Sequence, residues 1–356
     1  MKLRTLLFAS LLLSSSPLWA KEYQALTLAG EVFAATPPAE TDHTPQEMVA
    51  AAEKFLASLT AEERKQCALP LNDPERQQWT NVPTRATDGG LRLGDLKKEQ
   101  LEASITFLST VMSKEGYLKA RNVMLADDLL LRSEAQANRR GGFGTANFWI
   151  ALFGTPSESE PWGVQLDGHH IAFNLTIVGE KISLSPSFIG TQPHRFTLAG
   201  EEVIPMGAET ETAFALIASL TAEQRKEAIV GDTRGRLELG PGKDGVAPKP
   251  RGLSCRSFTE EQRGIFLKLV SLWIDDLPES ASFARLAEIT SQIDETVFFW
   301  QGPHQPGSDA SFHIFGPSLV IEYAGQNLGG DPRDHLHSIY RDPSNEYGAK
   351  WVPGKN

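Results

Sequence analysis

The chain has 356 residues, a formal net charge of −11 and no run of lysine or arginine. An acidic balance of that kind argues against nucleic acid or an anionic membrane surface as partner. Two cysteines, Cys67 and Cys255, exclude a disulfide scaffold but leave open a single bond in an oxidising compartment.

The first twenty residues, "MKLRTLLFASLLLSSSPLWA", carry Lys2 and Arg4 ahead of an apolar stretch and end on small residues. They read as a secretory signal peptide, which predicts a periplasmic or secreted protein. No cysteine follows to anchor a lipid, and no later apolar run reaches the ~20 residues of a membrane span, so no membrane insertion is expected after signal removal. Residues 21–44 read as an extended leader.

"TPQEMVAAAEKFLASL" opens the first regular element, with Thr44, Pro45 and Glu47 as an N-cap, a first-turn proline and a capping-box acid. Thr60 with Glu63, and Thr221 with Gln224, repeat that box. "DLKKEQLEASITFLSTVMSKEGY" predicts a helix with Leu101, Ile105, Leu108 and Met112 on one face, stopped by Gly116. "HIAFNLTIVGEKISLSPSFIG" alternates around Gly179-Glu180 as a hairpin. Residues 234–252, rich in Gly, Pro and charge, read as a surface loop. "EEQRGIFLKLVSLWIDDLP" predicts a second helix before Pro278, and "SFHIFGPSLVIEYAG" and "HLHSIYRD" further strands.

The chain also resembles itself. "AAEKFLASLTAEERK" (51–65) and "TAFALIASLTAEQRK" (212–226) agree at nine of fifteen positions. "GLRLGDLKKEQ" (90–100) matches "GLSCRSFTEEQ" (252–262) at nearly the same spacing, and "LDGHHIAFNL" aligns more weakly with "IFGPSLVIEY". An internal duplication is expected: an α+β fold of two helix-then-strand halves, 45–206 and 207–356, packed around a central seam.

Four of the eight histidines fall in two pairs, His169-His170 and His335-x-His337. On a strand His335 and His337 share a face, a spacing that suits two imidazoles on one divalent transition metal such as zinc, copper or iron. Read as strand through 168–175, His170 and Asn174 face one way and His169 the other, toward apolar residues. His170 is then the better ligand, and His169 either a further ligand or a ring satisfied by a backbone carbonyl. Glu322 aligns with Asn174 and is a candidate ligand or base for a bound water. Arg341 either closes a turn with Asp342 or binds a substrate carboxylate or phosphate. Trp149, Trp162 and Trp300 either line a ligand pocket or pack in the core. No GxSxG, P-loop, Rossmann, HExxH or CxxC pattern occurs, and "RRGGFGTANFW" is a weak phosphate signal.

"PWGVQLDGHHIAFN", "SPSFIGTQP", "FFWQGP", "FGPSLVIEY" and "HLHSIYRDPSNEYG", in this order, resemble the exported bacterial family called domain of unknown function 3500. The resemblance implies a fold grouping and export rather than a reaction. It also implies that His169, His170, His335, His337, Arg341 and Asp342 form one constellation. The chain departs from the family pattern of aromatic-aromatic-arginine at Phe312-His313. The expectation is thus an exported protein with a histidine-rich metal site, with an enzyme of unknown reaction as one possibility. The alternatives are a metal-free binding module for a small anionic ligand, and a structural or interaction protein.

Overall fold

Four threonines start helices in the same way. Thr44, Thr60, Thr221 and Thr259 each accept a backbone N–H from the third helical residue, while that residue's Glu or Gln side chain returns to the threonine N–H. The computed structural model describes residues 21–83, 89–136 and 142–352; the expected signal peptide, residues 1–20, lies outside them. Among the described residues the helices are α1 Leu28–Ala35, α2 Pro45–Ser58, α3 Ala61–Cys67, α4 Lys98–Thr110, α5 Lys114–Gln136, α6 Gly207–Ser219, α7 Ala222–Ala228, α8 Glu260–Ile274 and α9 Glu279–Ser291. None of them is long and apolar enough to cross a membrane.

The strands are β1 Ala68–Leu69, β2 Leu91–Arg92, β3 Phe148–Phe153, β4 Trp162–Gly168, β5 Ile171–Val178, β6 Lys181–Thr191, β7 Phe196–Leu198, β8 Glu201–Val203, β9 Ile229–Gly231, β10 Leu253–Ser254, β11 Val297–Gln301, β12 Ser311–Phe315, β13 Val320–Gly325 and β14 Leu336–Arg341. All but β7 and β8, which pair with each other, join one mixed sheet. The fold is α+β.

The order of pairing occurs twice. β1 runs parallel and β2 antiparallel to β3, as β9 and β10 do to β11. β3 to β6 and β11 to β14 are antiparallel meanders that meet where β6 pairs with β14. The register repeats as well: Gln165 lies opposite Asn174, and His313 opposite Glu322.

One face of the sheet packs on the helices, joining Phe55, Phe107, Leu269 and Trp273 to Trp162, Leu175 and Ile321 in one core. The other face is covered by irregular segments. Trp79 and Tyr347 pack over Ala172, Phe188 and Ile339, and Leu239 packs over Phe299, Phe315 and Val320. Residues 234–252, expected as a surface loop, thus lie partly as a cover on the sheet.

Two expectations need correction. Residues 21–44 are not extended throughout: Thr27 accepts the Gly30 N–H at 3.1 Å and starts α1, which buries Ala29, Val32 and Phe33. Gly116 does not stop a helix. The chain breaks at 111–113, Ser113 Oγ accepts the Gly116 N–H at 2.9 Å, and α5 continues. The glycine is needed because a Cβ there would lie 2.3 Å from the Asp276 carbonyl oxygen. The bond between the cysteines that the sequence leaves open is not formed; both are free and buried. Burial pushes the Cys67 thiol up to about 12 and also raises that of Cys255.

Candidate metal centre

Gly168 of β4 pairs with Ile171 of β5, so His169 and His170 are the two residues of a tight turn rather than consecutive strand residues. His170 takes φ of 68°. That left-handed conformation usually falls to glycine, and histidine is among the side chains that adopt it more readily than most. The turn overrides strand alternation and stacks the two rings, with centroids 3.6 Å apart. His169 therefore does not face the apolar core.

The second pair arrives from the other meander. His335 precedes β14, and His337 on β14 lies opposite Gly190 of β6. His335 Nε2 stands 2.9 Å from His170 Nε2 and 3.0 Å from His337 Nε2. Nitrogens sharing a four-coordinate ion at 2.0–2.1 Å lie about 3.3 Å apart, so this spacing is close to that of a ligand set. His169, His170 and His335 form a buried cluster that could hold a metal ion.

Two of the rings are anchored from behind. His169 Nδ1–H donates to Asp127 Oδ1 at 2.5 Å, and Asp127 Oδ2 accepts the Gly144 N–H at 2.6 Å. His335 Nδ1–H donates to the Leu328 carbonyl at 2.5 Å. Each bond fixes the tautomer and leaves Nε2 as the ligating nitrogen. His169 thus meets a carboxylate, not the backbone carbonyl expected from sequence.

Gly190 makes room for the other two rings. A Cβ there would lie 2.9 Å from both His170 Cδ2 and His337 Cδ2. The edge of the Phe188 ring meets His337 with centroids 5.0 Å apart. Burial, and then the neighbouring imidazoles, hold His170 and His337 well below the ordinary histidine value; burial also lowers His335. The imidazoles of these three are neutral at pH 7, the form that offers a lone pair to a metal.

The remaining candidates have other partners. Glu322 Oε2 accepts the N–H groups of Glu238 and Leu239, each at 2.9 Å, and Oε1 faces His313 Nδ1 at 3.2 Å. Asn174 accepts from Gln165 Nε2 at 2.7 Å and donates to the Pro186 carbonyl at 2.8 Å. Trp162 is fully buried and stacks on Phe107 with centroids 6.1 Å apart. Trp300 is buried against Phe214 and Phe312, whereas Trp149 is only partly buried.

Arg341 is buried and donates to the Leu239 and Gly240 carbonyls, to Asp244 at 3.0 Å and to Glu346 at 2.5 Å. Asp342 turns instead to Ser344 and Arg285. The geometry brings the four histidines together and leaves Glu322, Asn174, Trp162 and Arg341 outside that group.

Asp127 and Gly190 were not visible as site residues. Asp127 lies on α5, 42 residues from the ring that it anchors, and Gly190 gains its meaning only when β6 and β14 pair. Comparison with curated proteins and with solved structures gives no match. The profile of one family, described as Protein of unknown function (DUF3500), matches residues 41–349, most of the chain. The chain belongs to that family.

Proposed function

We propose that this is an exported metalloprotein in which His169, His170 and His335, with His337 beside them, bind one divalent transition ion: zinc, copper or iron. The observation that carries this reading is the buried cluster of His169, His170 and His335, with His337 Nε2 3.0 Å from His335 Nε2. With its proton on Nδ1, His335 has a single Nε2 lone pair facing both His170 Nε2 and His337 Nε2, a crowding that a shared cation would relieve. The donors are all imidazole, which suits these ions rather than calcium or magnesium. Such an ion, when bound, polarises a water and brings its pKa toward neutrality. Glu322 is not free to serve as a base beside it, its carboxylate being engaged with two amides and His313. The reading extends to an enzyme of unassigned reaction.

We also infer that the two halves arose by duplication, supported by the repeated strand order and the repeated "ASLTAE". The metal site is then a feature of the seam, drawing one histidine pair from each half. Export is read from residues 1–20.

The test is elemental analysis of the purified mature protein. The expected result is about one zinc, copper or iron per chain, lost in His335→Ala. Wild type that carries no stoichiometric metal, and binds none when titrated with the three ions, would remove the proposal. It would leave the metal-free alternatives.

A further inference from the structure

Helix α5 carries two adjacent aspartates, Asp127 and Asp128, both almost wholly buried, and neither is paired with a lysine or arginine among the described residues. Each carboxylate is held by hydrogen bonds instead. Asp127 takes His169 on one oxygen and the Gly144 N–H on the other. Asp128 Oδ1 accepts the N–H and the hydroxyl of Thr145, at 2.7 and 3.0 Å, and Oδ2 accepts the Tyr23 hydroxyl at 2.8 Å. The segment Phe143–Thr145 is thereby tied to both acids. Its Phe143 ring packs against His169 with centroids 4.8 Å apart.

Tyr23 belongs to the leader, and the leader is loosely held. Of residues 21–28 only Tyr23 is buried. Its N–H donates to the Thr197 carbonyl at 2.6 Å, and the Thr197 N–H donates to the Lys21 carbonyl at 2.9 Å. Arg132 reaches the Glu22 and Gln24 carbonyls. Thr27, which caps α1, shares a hydrogen bond with Thr145, Oγ1 to Oγ1, at 2.7 Å. A segment with so little buried apolar surface opens locally, at a small fraction of the global unfolding free energy. When it lifts, Asp128 and Thr145 each lose a partner in a buried place, where an unmade hydrogen bond is costly. Thr145 adjoins Gly144, whose N–H steadies the carboxylate behind His169.

We propose that the leader is a regulatory strap on the histidine centre: residues 21–27, when docked, strengthen ion binding, and the bound ion holds the leader down. The inference rests on the metal reading above. The effect passes through Asp128 and the Phe143–Thr145 segment to Asp127 and His169, so Tyr23 and Thr27 are positioning residues and not ligands. Coupling between two such events is reciprocal, and both directions share one factor.

The test uses mature protein freed of metal with a chelator. It is titrated with zinc(II), copper(II) and iron(II) against a chelating dye, and exchange at the Tyr23 amide is followed with and without the ion by mass spectrometry of the leader peptide. Tyr23→Phe should lower affinity at least about fivefold. The ion should slow exchange at the Tyr23 amide of wild type by the same factor, and less in the variant. Tyr340→Phe is the control: it removes a buried hydroxyl that accepts from Arg285 Nε at 2.8 Å, and should lower the melting temperature while affinity stays unchanged. The exchange measurement on wild type decides alone if Tyr23→Phe does not fold. Wild type that binds none of the three ions would remove the metal reading and the strap with it. Binding that is equally tight in Tyr23→Phe, equally weakened in Tyr340→Phe, or without effect on Tyr23 exchange would overturn the strap and leave the metal reading standing.

Discussion

Gly190 has a role in the centre that no ligand list would contain, since it is defined by the side chain it lacks. In Gly190→Ala the new methyl would sit 2.9 Å from a carbon of both His170 and His337, and 2.8 Å from the Leu336 carbonyl oxygen. Overpacking of this kind costs about 1–3 kcal/mol in stability. Its larger effect should be on the rings, and we expect metal affinity to fall by about 100-fold or more, read by competition with a chelating dye. Asp127→Asn keeps the shape and removes the charge behind His169. An outer-shell loss of that kind lowers affinity about 10–100-fold, and an unchanged affinity would remove Asp127 from the centre. The metal-free protein should also respond to pH. His170 and His337 are held below the unfolded value of about 6.5. Below that pH the unfolded chain binds more protons, so stability is complete above about 6.5 and falls as the pH drops toward the folded values. Thermal melts of chelator-treated protein between pH 5 and 8 should show this fall, and His337→Phe should make it shallower.

Among the elements, the histidine turn shows where sequence reasoning succeeded and where it stopped. The helix starts at Thr44, Thr60 and Thr221 were legible because a capping box is a local pattern with its chemistry in four residues. The hairpin at Gly179-Glu180 was legible for the same reason, its turn residues standing between two alternating runs. The turn at His169-His170 was not, because its left-handed residue is a histidine and not a glycine or asparagine. Alternation was therefore carried through the turn, and His169 was assigned to the wrong environment. The gathering of the histidines was expected from the spacing of the two pairs and from the family resemblance, whereas their anchors were not. Asp127 and the Leu328 carbonyl reach His169 and His335 from 42 and 7 residues away. The first separation is beyond any local pattern. Arg341 marks a different limit: an arginine that clamps two carbonyls and two carboxylates looks, in sequence, the same as one that awaits an anion.

At the scale of the molecule, the two sheet meanders and the helices packed on them are joined twice. In the sheet, β6 meets β14; in the helical layer, α5 meets the segment between α8 and α9. Lys119 on α5 carries the second junction, 2.9 Å from Glu209 at the start of α6 and 2.8 Å from Asp276 beyond α8. All three side chains are at least largely buried, so the cluster is held by mutual compensation. Removing one partner from such a cluster strands the others, at a cost of about 3–5 kcal/mol. Lys119→Met keeps the aliphatic stem and removes only the charge, and should lower stability by that amount at pH 7.5. The deficit should depend on pH. Burial already raises Asp276 to about 6 with the lysine in place, against an ordinary 3.8. A carboxyl raised in this way contributes stability that is present below the unfolded value and lost as the pH rises through the folded one. Without Lys119 the folded value moves higher still, so at pH 5 Asp276 is protonated and the loss is partly relieved. Chemical denaturation of wild type and Lys119→Met at pH 5 and 7.5 measures the difference directly. The titrating histidines are common to both proteins and cancel. A deficit that is equal at the two pH values would show that Lys119 acts at this junction through packing alone.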